Sequence, residues 1–148
     1  MKNLSFLSIA FLIFSTFFFS SCEKEEELST KDKLIGTWKY EFRKYEQYVA
    51  GELVSSGIDT VRGTTIRFQR NDTQITTVEV PDQPAVVVGG IWTLNGDSKI
   101  VLGDIGNRDI LEIKELTETT MILIQEEEII EDDGIAYGYK DEVSFIKQ

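Results

Sequence analysis

One cysteine, no histidine and 26 carboxylates bound the chemistry open to this 148-residue chain. Without an imidazole there is no Ser-His-Asp triad, no Cys-His dyad, no histidine-ligated haem and no Cys/His zinc site. A single thiol excludes a disulfide within the chain. Paired carboxylates can hydrolyse glycosides when they flank the bond. Among so many acids no motif selects a pair, so no catalytic residue is assigned. Glu126, Glu127, Glu128, Glu131, Asp132 and Asp133 offer oxygens of the kind that Ca²⁺ takes. The spacing of a calcium loop is missing, however, and neighbouring carboxylates in a strand point to opposite faces. This segment reads as a solvated hairpin whose charge discourages edge-to-edge pairing. No metal and no cofactor are expected. The net charge of −11 argues against a nucleic-acid partner.

The one thiol, Cys22, has a distinctive setting. Lys2 precedes an apolar run from Leu4 to Phe19, shorter than the ~20 residues a spanning helix needs. Six of the nine Phe lie in that run, so the overall composition overstates the apolar content of the folded part. The run reads as an export signal. Phe19-Ser20-Ser21-Cys22 resembles a bacterial lipobox, with a bulky apolar residue, two small ones and then Cys. The resemblance implies cleavage before Cys22, lipidation of its thiol, and a membrane anchor made of N-terminal acyl chains. Glu23-Lys24-Glu25-Glu26-Glu27 is similar to the acidic segment after the acylated Cys in surface-exposed lipoproteins of the Bacteroidota type. That likeness implies a cell-envelope protein anchored to the outer membrane and facing outward. The competing reading is a plain solvated spacer. Residues 1–21 are then a lipoprotein signal peptide, 22–33 the acylated Cys and acidic linker, and 34–148 one folded domain.

The elements of that domain follow from its patterning. Leu28–Ile35 can form one short helix, with Ser29 or Thr30 as N-cap. Beyond it the apolar residues recur at period two. Trp38, Tyr40 and Phe42 alternate with Lys39, Glu41 and Arg43, and Ile66 and Phe68 flank Arg67. Turn signals such as Ala50-Gly51, Asn95-Gly96 and Asp133-Gly134 separate the runs. Strands are expected near 36–48, 52–61, 64–70, 73–80, 85–95, 98–103, 108–116, 120–130 and 135–147. No segment is a helix long enough for a parallel crossover, so the sheet is antiparallel. With no helical layer it must bury its face on itself. An up-and-down barrel of eight or nine strands does this and removes edges, and a two-sheet sandwich is the alternative.

Three motifs in order carry a family resemblance. Leu34-Ile35-Gly36-Thr37-Trp38-Lys39 resembles the Gly-x-Trp opening of lipocalin-like domains. Gly90-Ile91-Trp92-Thr93-Leu94-Asn95-Gly96-Asp97 is similar to the middle hairpin of small bacterial lipocalin-like lipoproteins. Ile113-Lys114-Glu115-Leu116-Thr117, followed by Thr120-Met121-Ile122-Leu123, is similar to their late hairpin. The resemblance implies an all-β lipocalin-like barrel that binds a small hydrophobic ligand without catalysis. The Arg that animal lipocalins pack over the first-strand Trp has no evident match, because the last strand offers only Lys140 and Lys147.

Candidate ligand-binding residues are the aromatics expected to point inward: Trp38, Tyr40, Phe42 and Phe68 on early strands. Trp92, Leu94 and Phe145 join them on later strands. An eight-stranded barrel is wide enough either to be filled by side chains or to hold one small ligand. The same residues therefore serve two readings: a lined cavity, or a filled core with docking through the outer face.

Overall fold

Ser29 starts the first element among the described residues. Its side chain accepts the backbone N–H of Asp32 at 3.2 Å, capping a one-turn helix α1, Thr30–Leu34. The computed structural model describes residues 28–60, 63–103, 108–130 and 134–148. Cys22, the run Glu23–Glu27, and Glu131, Asp132 and Asp133 lie outside the described residues. Among the described residues nine strands follow α1: β1 (Gly36–Val49), β2 (Glu52–Asp59), β3 (Thr64–Phe68), β4 (Thr73–Val78) and β5 (Val86–Asn95). Then come β6 (Lys99–Leu102), β7 (Asp109–Leu116), β8 (Thr120–Ile130) and β9 (Ala136–Lys147). Every pairing is antiparallel, and β9 returns to pair with β1. The sheet is a closed up-and-down, lipocalin-like barrel rather than a sandwich.

The choice between eight and nine strands is settled by register. β9 covers one edge of β1 from Trp38 to Val49. The other edge is shared: β3 pairs with Gly36–Lys39, and β2 pairs with Arg43–Val49. β2 and β3 thus lie end to end along one edge of β1. Eight strands close the ring, and β2 is an addition above β3. β1, β2, β8 and β9 continue beyond the ring as a four-stranded extension, with β2 and the upper part of β8 as its free edges.

The core sits at the end of the barrel where α1 docks. Leu34, Trp38, Phe68, Trp92, Ile100, Met121 and Leu123 are all but fully buried. Buried indole N–H groups need acceptors. Trp38 Nε1 donates to the Leu34 carbonyl at 2.7 Å, and Trp92 Nε1 donates to the Gln69 carbonyl at 3.2 Å. Phe68 meets Trp92 edge to face, with centroids 5.2 Å apart. Lys31 Nζ, bonded to Asp72 at 2.6 Å, lies 5.6 Å from the Trp92 ring and holds α1 beneath the barrel.

Lys147 supplies the cation that the sequence left without a match. Its Nζ lies 5.1 Å from the Trp38 ring centroid and donates to the Lys33 carbonyl at 2.8 Å. The side chain crosses directly over Gly36, where an added Cβ would stand 2.7 Å from Lys147 Cε. Gly36 also has φ 138°, a conformation costly for other residues. The Gly-x-Trp spacing is thereby explained: Gly36 makes room for the chain that covers Trp38.

One correction concerns β1. Strict alternation places Trp38, Tyr40 and Phe42 on one face. Tyr40 pairs with Phe145, but Phe42 pairs with the next residue, Ser144, so Glu41 is a bulge. An extra residue reverses the facing of everything beyond it. Phe42 therefore shares the outer face with Ser144 and Lys44, whose Nζ is 5.7 Å from its ring. Phe42 is not among the residues packed on the core, and Arg43 takes the inward position.

Candidate functional site

The barrel interior divides into two halves. Trp38, Phe68 and Trp92 form a packed layer at the helix end and leave no open surface of their own. Leu94 packs against that layer, half buried. Phe145 lies above it, and Tyr40 meets Phe145 edge to face with centroids 5.5 Å apart. These two rings form the floor of the upper half. Of the seven expected ligand-binding residues, the fold brings six to the inward face and moves Phe42 to the outer one.

Above the floor the inward face becomes polar on one wall. Because of the bulge, Arg43 and Tyr45 of β1 face inward, opposite Val143 and Asp141 of β9. Arg43 Nε donates to Asp141 Oδ1 at 2.9 Å. Asp59 of β2 stands directly across from Arg43 on the same face. The Arg43 guanidinium lies 5.7 Å from the Tyr45 ring, which itself covers Gly57, where an added Cβ would be 2.6 Å from the phenol oxygen. Hydrogen bonding to Asp141 raises the Arg43 pKa further. Burial raises the Tyr40 pKa, only partly opposed by the charge of Arg43, so the phenol stays protonated at neutral pH.

The opposite wall is open and mixes the valines of β5 with Gln74 and Thr76 of β4, which share their face. β4 and β5 stand four places around the ring from β8 and β9. Their register has no irregularity, so Val86, Val88 and Gly90 share the face of buried Trp92. Yet Val86 is 51% exposed and Val88 53% exposed. Inward-facing valines that solvent reaches mean that the upper barrel is an open mouth.

The outer surface offers a second concavity. A groove of about 470 Å³ lies on the four-stranded extension. Its floor is Gly138, set between Tyr48 and Glu128 in register. Glu126 and Lys140 close one end, 2.5 Å apart. Glu126, Glu127 and Glu128 are exposed, as a solvated hairpin would have them. Among the described residues, no group of three or more carboxylate or thiol side chains is arranged to hold a metal ion.

Sequence reasoning missed Arg43 because it carried period two through Glu41; Asp141 lies in the regular alternation of Val143 and Phe145 on β9, and Asp59 is placed only by its pairing with Arg43. One signal was available. After Phe42 the aromatics fall at Tyr45 and Tyr48, three apart, which period two cannot place on one face.

Comparison with solved structures agrees on the fold. A lipocalin-like protein from Bacteroides uniformis matches with a TM-score of 0.52 and 15% identity, over 78% of this chain and 99% of its own. A protein from Bacteroides eggerthii matches with the same TM-score, identity and coverage. A bovine odorant-binding protein in complex with undecanal reaches a TM-score of 0.45 at 16% identity, over 85% of this chain and 77% of its own, too low to argue from. No family model and no curated protein matches the chain. The chain thus has the fold of small bacterial lipocalin-like proteins.

Proposed function

We propose that this protein is a lipid-anchored envelope carrier that holds a small, largely apolar molecule in the open half of its barrel without converting it. The observation that carries this reading is the pair Val86 and Val88, inward-facing yet half exposed, above the Tyr40–Phe145 floor. Pockets of this kind combine apolar walls with a few placed polar groups. The test is an apolar fluorescent probe titrated against residues 28–148, which contain the whole barrel. Saturable binding that Val88→Trp abolishes supports the carrier. No saturable binding by the unaltered domain overturns it.

The anchor rests on Phe19-Ser20-Ser21-Cys22. Two or three acyl chains hold a protein stably, since each buried CH₂ adds ~0.8 kcal/mol. Cys22→Ala moves the protein out of the detergent phase if Cys22 is the acylated residue. Retention in the detergent phase with an intact N-terminus identifies an uncleaved signal anchor instead. Outward display rests on Glu23–Glu27, and is checked by protease added to intact cells.

The groove over Gly138 favours a second reading, docking of a protein or glycan on the outer face. Tyr48→Ala separates the two, because it alters the groove and leaves the mouth of the barrel untouched.

A further inference from the structure

Among the described residues, β2 is the strand whose outer edge is unpaired over its whole length. Its other edge is held by β1, in regular register from Ser55 to Asp59. A bulge at Val54 bends only the end next to the hairpin. Free edges are usually blunted by Lys, Pro or charge within the strand. From Leu53 to Ile58 β2 has none of these. Instead Leu53, Val54 and Ile58 stand more than half exposed. Register sets Leu53, Ser56 and Ile58 on one face, opposite Tyr48, Glu46 and Lys44. Because the bulge shifts the alternation, the two large apolar residues at either end of this run share that face. The ends of the strand are acidic. Glu52 and Asp59 are exposed, and neither is held in an ion pair among the described residues. They stand about 20 Å apart at ~3.3 Å per residue.

We propose that β2 is a docking edge for an extended, cationic segment of a partner protein. The segment adds as a further strand, with apolar side chains beside Leu53 and Ile58 and basic ones at Glu52 and Asp59. The free edge carries the proposal: its main-chain groups supply the affinity in strand addition, and the neighbouring side chains supply the specificity. Charge selects the occupant. A second copy of this chain is the competing one, and it fits badly. Two-fold antiparallel pairing over the whole strand sets Glu52 of each copy against Asp59 of the other, and like charges directly opposite are destabilising. Each copy also brings a net charge of −11. The same charge steers a cationic segment toward the edge. This edge lies on the extension and not in the barrel mouth, so the proposal is independent of the carrier reading.

The probe is a fluorescein-labelled peptide, Lys-Val-Thr-Val-Thr-Val-Thr-Lys, followed by anisotropy against the protein purified in a non-ionic detergent. It is expected to bind about tenfold more tightly than the same peptide with Glu at both ends, and to weaken as salt rises. N-methylation of its internal amides keeps the charge and removes the donors, and should abolish binding. Ile58→Lys places a cation in the middle of the exposed run and should weaken the basic peptide about tenfold with the urea midpoint unchanged. Glu52→Lys/Asp59→Lys should reverse the preference between the two peptides, and Ile58→Lys keeps the test usable if that double variant fails to fold. Equal binding of the basic and acidic peptides overturns the assignment of a cationic partner. Undiminished binding of the N-methylated peptide overturns strand addition, because charge alone then holds the peptide. No binding of the basic peptide, with a dimer that Ile58→Lys dissolves, makes a second copy the occupant and overturns the proposal. No binding and no dimer overturns it as well.

Discussion

Lys147 and Gly36 show how single residues close the barrel end. Lys147 joins β9, the Trp38 ring and the last turn of α1 in one side chain. Removing the ammonium while keeping the apolar stem isolates that role. Lys147→Met should cost about 1–2 kcal/mol, the range of a partly buried cation–π contact and a charged hydrogen bond. A urea midpoint equal to that of the unaltered protein would show that the contact is stabilised no better than in water. Trp38→Ala removes a fully buried indole and should cost ~3–5 kcal/mol in the same measurement. Glu142 sets a pH dependence at this scale. The hydrogen bond from Lys114, joined by the charges of Lys114 and Lys44, holds its carboxyl below the usual range. A depressed carboxylate contributes stability that is present above its unfolded pKa and is lost as pH falls through the folded one. Stability should therefore decline on acidification below the ordinary carboxylate range. Glu142→Gln should flatten that decline, as read from urea midpoints between neutral and acidic pH.

Among the elements, the decisive one is β1. Its bulge at Glu41 takes Phe42 out of the core and turns Arg43 into it. Phe42→Ser should cost only about 1 kcal/mol, as for a half-exposed site, against the several expected at Trp38. A loss as large as that of Trp38→Ala would mean that Phe42 is inward and that the bulge is misplaced. The hairpin from β1 to β2 turns on Ala50 and Gly51, with φ 51° and 83°. Two-residue turns of this hand favour Asn-Gly, and Ala is a poor first residue at positive φ. Ala50→Asn should therefore raise stability by about 0.5 kcal/mol, seen as a higher unfolding midpoint. A lower midpoint would place the hairpin in another turn type.

At the scale of the molecule, closure and charge pull in different directions. The eight-stranded ring leaves few edges, but the extension exposes β2 and the upper part of β8. Leu53, Val54 and Ile58 of β2 are more than half exposed on the strand with the longer free edge. The chain's charge of −11 opposes association of copies along such edges. Raising the salt concentration screens that repulsion beyond a Debye length of ~10 Å at 0.1 M. Light scattering should show more self-association in high salt than in low. No change would mean that the edges are guarded by geometry rather than by charge.

Sequence alone determined the class of the fold and most strand boundaries, whereas the plain meander order it implies holds only from β3 to β9, since β1 pairs with β3 and β2 lies at the edge. Class and boundaries depend on local features: period-two patterning, turn residues, and the absence of a helix long enough for a crossover. It also marked Trp38, Phe68, Trp92 and Phe145 as inward, because alternation survives wherever the ladder is regular. Tertiary structure decided the rest. Whether β2 joins the ring depends on which edge of β1 it finds, and no residue in β2 states that. Whether Phe42 or Arg43 faces the interior depends on one bulged residue, and a shift of one position inverts every side chain that follows. The Arg43–Asp141 pair joins residues 98 apart in sequence. Lys147 meets Lys33 across 114 residues. Such contacts exist only once β9 closes on β1, because local patterning places side chains on a face but does not say which strands will share it.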